Sequence, residues 1–169
     1  MLFDSAGQVP GLLETKIVTE YWMLAAIVPE SFKGSKYTGL AQFKGKTVGV
    51  TKGYAYPEEL AKWEGLKPDE TTDSFNSLRK ISNNRLDVMF DDPLWADLKS
   101  KEEPQKYKVL MPLASSMACF AAFAPKHGEL VKKFEATAKT LIKEGVLDKL
   151  YEKSTGITMK AFKKKYGIK

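Results

Sequence analysis

The chain has 169 residues, of which 43% are hydrophobic, 28% charged and 11% aromatic, a length and apolar fraction that favour one domain with a continuous core and exclude a disordered chain. With Cys119 as the lone cysteine and His127 as the lone histidine, an internal disulfide and a Cys/His zinc site are both excluded. The net charge is +6, but Arg79 and Arg85 are the only arginines and the one dense basic cluster (Lys160, Lys163, Lys164, Lys165, Lys169) is terminal. That pattern reads as a solvated, partly frayed tail, and no nucleic-acid partner is expected.

The opening stretch MLFDSAGQVPGLLETK mixes Gly, Pro and polar residues without a period and reads as a loop or arm. From Thr19 to Val28 an apolar, aromatic run ended by Pro29 predicts a buried strand. The glycine- and lysine-rich stretch from Ser31 to Lys46 is an exposed connection with a helical turn near Gly39 to Lys44. Thr47 to Thr51 is a β-branched strand closed by Gly53, after which Pro57, Glu58 and Glu59 open a helix to about Trp63.

Asp73 or Ser74 caps a second helix carrying Phe75, Leu78 and Ile81, stopped by Asn83 and Asn84. Leu86 to Phe90 predicts another strand, and Asp91, Asp92 and Pro93 open a helix through Leu98. Two further strands, Tyr107 to Met111 and Cys119 to Ala124, are expected on either side of a small-residue link from Pro112 to Met117. Strands alternating with helices imply a mainly parallel sheet covered on both faces. The last third is helical: an apolar stripe from Leu130 to Ile142, a break at Gly145, a second helix stopped near Gly156, and a third capped by Thr158 and holding Phe162.

No apolar run approaches the ~20 residues of a membrane-spanning helix, and the first residues lack the basic-then-apolar order of a secretory signal. The chain therefore reads as soluble, with its compartment open. His127, at a helix entrance, and Cys119, among alanines and phenylalanine, read as an exposed polar residue and a packed thiol rather than as catalytic groups. Neither a metal nor a cofactor is expected.

Asp91 and Asp92 lie at the carboxyl end of a strand, where ligands collect in open parallel sheets. Either can pair with a ligand ammonium; an aspartate before Pro93 is equally suited to capping the next helix. The turn Gly53, Tyr54, Ala55, Tyr56 lies at the end of the other strand. Its glycine permits a tight bend, and amides at a helix start attract a ligand carboxylate, although Glu58 and Glu59 already offset the helix dipole there. Tyr54, Tyr56 and Trp95 are candidate pocket walls, with ordinary packing as the competing reading of each.

Four segments in order carry a family resemblance: LAQFKGKTVGVTKGYAYPEEL from Leu40, SFNSLRKISNNRLDVMFDDPLWADL from Ser74, PLASSMACFAAFAPKHGELVKKF from Pro112, and LIKEGVLDKLYEKSTG from Leu141. Together they resemble the second half of a type II periplasmic solute-binding protein of the kind serving polar amino-acid ABC transporters. The resemblance implies an α/β fold: a three-layer single lobe with a mainly parallel sheet flanked by helices, followed by C-terminal helices. It places Asp92, with Asp91 as the near alternative, where the family binds a ligand α-amino group. Gly53, Tyr54 and Ala55 fall on the family's carboxylate-holding glycine-threonine-threonine turn. Tyr54 and Ala55 lack its short hydroxyls, which leaves only backbone donors for a carboxylate.

Most of the family's first lobe, with the arginine that clamps the carboxylate, has no counterpart. SAGQVPGL from Ser5 resembles the opening of that lobe and the Glu20, Tyr21, Trp22 run the entry to the crossover strand, as if the intervening region were deleted. The expected organisation is residues 1–18 as arm or lobe remnant, 19–124 as ligand-binding lobe and 125–169 as helical segment. The resemblance implies noncatalytic binding of an amino acid or small carboxylate, a periplasmic location, and an ABC transporter permease as partner. A helix face that has lost its covering lobe implies self-association as a homo-oligomer. The alternatives are an interaction module without ligand binding and an anionic-surface binder.

Overall fold

The computed structural model describes residues 2–5, 10–54 and 56–168. Where length alone favours a single domain, the chain forms two compact units: one from both chain ends, through Trp22 and from Ser116 onward, and one from Met23–Ser115. The strands are β1 (Leu2–Ser5), β2 (Leu13–Pro29), β3 (Thr47–Thr51), β4 (Lys67–Thr71), β5 (Val88–Asp91) and β6 (Tyr107–Phe123), ordered β1-β6-β2-β5-β3-β4. The helices are α1 (Glu58–Ala61), α2 (Ser74–Ser82), α3 (Pro93–Glu102), α4 (Gly128–Lys143), α5 (Val146–Thr155) and α6 (Met159–Tyr166).

The Met23–Ser115 unit is built around a parallel trio. β3 pairs with β4 in the register Thr47↔Lys67 to Thr51↔Thr71, and with β5 through Val48↔Val88 and Gly49↔Met89; β2 joins β5 antiparallel through Ala25↔Asp91. Residues 23–29 of β2 are buried without alternation, as a strand covered on both faces requires. On one face Leu78 and Ile81 of α2 and Ala96 of α3 pack with Ile27, Leu86 and Met89. On the other, Phe90 meets the rings of Phe43 and Tyr37 edge-on. The predicted caps are present: the Asp73 side chain accepts the Phe75 amide, and Asp92 accepts those of Leu94 and Trp95 with Pro93 in the first turn. Gly49 is glycine because a Cβ there would lie 2.5 Å from Leu86 Cδ2 and 3.1 Å from Ser77, both buried.

Several elements depart from the sequence expectations. The opening arm is instead β1 and the start of β2, which begins at Leu13 rather than Thr19. Its first half alternates, with Thr15, Ile17 and Thr19 more covered than Lys16, Val18 and Glu20, the signature of a half-exposed strand. β4 was not foreseen: KPDET holds no large apolar residue and is recruited by pairing with β3 at the end of the strand order, where proline is tolerated. The helix after Pro57 is a single turn, α3 runs on to Glu102, and the two strands expected around Pro112 to Met117 are one continuous β6.

In the unit formed by the chain ends, β1 pairs antiparallel with β6. Phe134 of α4 packs edge-on against Phe123. Gly145 and Gly156, both left-handed, separate and end α5, as their positions predicted. The lysine-rich end is a docked helix rather than a frayed tail: Phe162 of α6 is buried among the rings of Tyr21, Tyr151 and Tyr166. Lys163 and Lys165 lie over the Tyr21 and Tyr166 rings. No helix among the described residues is long and apolar enough to cross a membrane.

Candidate functional site

The pleat of β5 sets the direction of its last residue. Met89 belongs to the cluster beneath α2 and α3, so Asp91, two residues on, shares that face and reaches the end of the sheet where α2 begins. Asp91 is only 3% exposed. Its Oδ1 accepts the Asp92 amide at 2.8 Å, and its Oδ2 is buried without a hydrogen-bond partner. Burial pushes the carboxyl above its ordinary value, while hydrogen bonds from the Ser74 hydroxyl and the Asp92 amide act in the opposite direction.

The end of β3 forms the neighbouring wall. Gly53 adopts φ +80°, a left-handed turn open to glycine at little cost. The turn is anchored by the Thr51 amide, which donates to the Tyr56 hydroxyl at 2.9 Å, and by the Thr51 and Ser74 hydroxyls, 2.8 Å apart. Tyr54 and Tyr56 hold their ring centroids 5.7 Å apart. Burial, then the charges of Asp91 and Asp92 and the neighbouring Tyr56, push the Tyr54 hydroxyl up to about 12, so it stays protonated throughout the physiological range. Tyr56 is raised by burial and by Asp91, against hydrogen bonding with Thr51. Two phenolic rings therefore stand within the field of a buried carboxylate.

Asp92 Oδ1 accepts the amides of Leu94 (2.7 Å) and Trp95 (3.1 Å), so one oxygen serves as the cap of α3. Trp95 packs edge-on against Phe75 and onto the cluster under α2 and α3. Ala55 lies outside the described residues. Of the amides in the turn, that of Tyr54 donates to the Thr51 carbonyl at 3.1 Å, and that of Lys52, just before it, to the Thr71 carbonyl at 2.8 Å. His127 is exposed before α4 and Cys119 is buried. Among the described residues no group of three or more His, Cys, Asp or Glu side chains is arranged to hold a metal.

Sequence reasoning did not identify Ser74 and Thr51 as site residues. The available signal was their position, a hydroxyl at the first residue of a helix and another at the last residue of a strand, both facing the same sheet end.

No protein-family model matches the chain. It is 30% identical over 131 residues to the arginine-binding periplasmic protein of Mannheimia haemolytica, an alignment covering 75% of this chain and 54% of that protein. The chain thus spans about half the length of the curated relative it matches. Among solved structures it is similar to the "probable amino-acid ABC transporter extracellular-binding protein" ytmK from Bacillus subtilis (TM-score 0.73, 18% identity, 90% of this chain and 67% of that one). It is also similar to the arginine-, lysine-, histidine-binding protein ArtJ of Geobacillus stearothermophilus (TM-score 0.66, 21% identity, 93% and 68%). The chain has the fold of the type II periplasmic solute-binding proteins, and the resemblance read from its motifs holds in both sequence and structure.

Proposed function

We propose that the chain binds a small polar solute, an amino acid or a close chemical relative, without transforming it. It would serve as a substrate-binding component delivering that solute to an ABC transporter permease from a periplasmic location. The observation that carries this reading is the unpartnered, buried Oδ2 of Asp91 at the sheet end beside Tyr54 and Tyr56. A buried carboxylate oxygen without a partner gains a charge-assisted hydrogen bond from a ligand ammonium, roughly twice as strong as a neutral one. Similarity to binding proteins of amino-acid transporters supports the same ligand class.

Thermal-shift and calorimetric titration of the folded chain with the proteinogenic amino acids and small carboxylates tests the proposal. Saturable binding of at least one of them is expected; silence across the panel overturns it.

A second reading, an interaction module, is favoured by one observation. In the unit formed by the chain ends, a groove of about 530 Å³ is lined by Val18, Tyr21, Ile142, Leu147, Leu150 and Met159 among others, with Ile142 and Leu150 half exposed. An exposed, largely apolar groove supports the interaction reading.

A further inference from the structure

The solute-binding reading leaves open which end of the solute is recognised, and the inference here rests on that reading. An amino acid offers an ammonium and a carboxylate, and the two meet very different surroundings at this site.

The surroundings of a carboxylate are unfavourable. Neither arginine is at this end of the sheet. Arg79, in the last turn of α2, is held by both Glu103 oxygens at 2.9 and 2.6 Å, and Arg85 precedes β5 whereas Asp91 ends it. The amides of Thr51, Lys52 and Tyr54 donate within the protein, as do those of Leu94 and Trp95. The helix after the turn is one turn long and begins with Glu58 and Glu59, and the charges of Asp91 and Asp92 act on Tyr54 in the turn. Lys52, the sole basic residue between Thr47 and Ala61, is exposed, so its ammonium stays hydrated. An incoming carboxylate would meet like charge, and the amides of Thr51, Lys52 and Tyr54 are already engaged within the protein.

The surroundings of a cation are the reverse. Asp91 is 3% exposed and has an unpartnered oxygen, the Asp92 amide fixes its orientation, and two tyrosine rings 5.7 Å apart offer negative faces and a neutral hydroxyl. Tyr54 is 44% exposed.

We infer that the site grips its solute by a positively charged nitrogen alone, through Asp91 and the faces of Tyr54 and Tyr56, and that a decarboxylated amine is bound at least as well as the parent amino acid. The ligand class is a small organic amine or guanidinium compound.

Calorimetry with two matched pairs, L-arginine against agmatine and L-lysine against 1,5-diaminopentane, with pentanedioate as the anionic control, tests the inference. The expected result is that the amine of at least one pair binds within about threefold of its amino acid or tighter, pentanedioate is silent, and Asp91→Asn, shown folded by circular dichroism, loses the amine. Tyr54→Ala, at an exposed position, is expected to weaken the amine by about tenfold or less without loss of fold. An amino acid that binds while its amine is weakened more than about tenfold overturns this inference and leaves the solute-binding reading standing. Silence of both pairs, together with the full amino-acid panel, overturns both.

Discussion

The Asp92 amide donates to Asp91 Oδ1 at 2.8 Å while the Asp92 carboxylate accepts the amides of Leu94 and Trp95, so two adjacent aspartates divide two tasks. Asp92 starts α3. Asp91 is turned inward by the pleat, one oxygen satisfied and the other buried without a partner.

Replacing Asp91 by Asn is expected to stabilise the fold and abolish solute binding together. Burial raises the carboxyl above its unfolded value, so its contribution to stability is fully present below the ordinary aspartate range and is lost as pH rises through the raised value. The neutral isostere removes that loss. Thermal melts should show Asp91→Asn more stable than wild type at pH 7, with the difference shrinking toward pH ~4; a variant less stable at pH 7 would mean that the charge is satisfied in the native protein.

Binding of an amine should weaken on acidification, because only the ionised Asp91 attracts it. Since burial holds this carboxyl above the usual range, the decline should begin at a higher pH than an exposed aspartate would give. Tyr54, pushed up to about 12, contributes no titration in that interval. Titrations between pH 8 and pH ~4 check this; constant affinity down to the ordinary aspartate value would remove Asp91 from the contact.

At Asp92 the two tasks separate by substitution. Asp92→Ala removes the cap and should cost about 1 kcal/mol in urea denaturation, whereas Asp92→Ser keeps a capping oxygen and should cost only a few tenths. Solute affinity should fall far less in Asp92→Ser than in Asp91→Asn. The reverse order would return the principal binding role to Asp92.

Much of this was legible in the sequence because the signals were local. TVGVT followed by a glycine turn, and the caps Asp73, Asp92 and Thr158, declare strand ends and helix starts within a few residues. β4 was hidden because KPDET acquires its strand from β3 and not from its own side chains. The start of β2 was hidden in an alternation of Thr15, Ile17 and Thr19 with Lys16, Val18 and Glu20, weaker than the apolar run that follows. At the site, the pair of aspartates and the tyrosine turn were visible. Which aspartate is buried was not, since that depends on the face of β5 covered by α2. Nor could one-dimensional spacing reveal that the amides of Lys52, Tyr54 and Thr51 are engaged by Thr71, Thr51 and Tyr56 respectively.

The apolar groove of the other unit carries its own expectation. If it is an association surface, sedimentation velocity should show a concentration-dependent dimer that Leu150→Glu, at a residue 55% exposed, returns to monomer without loss of helicity. Wild type that stays monomeric at high concentration removes the interaction reading.

Amide chemical-shift mapping of the isotope-labelled chain titrated with agmatine and with arginine locates the solute directly. Saturable shifts concentrated at Thr51 to Tyr56, Ser74 and Asp91 to Trp95, and abolished by Asp91→Asn, are the expected result. Shifts gathered instead around Val18, Leu147 and Leu150, or a spectrum unchanged at saturating solute, would contradict a binding site at the end of β5.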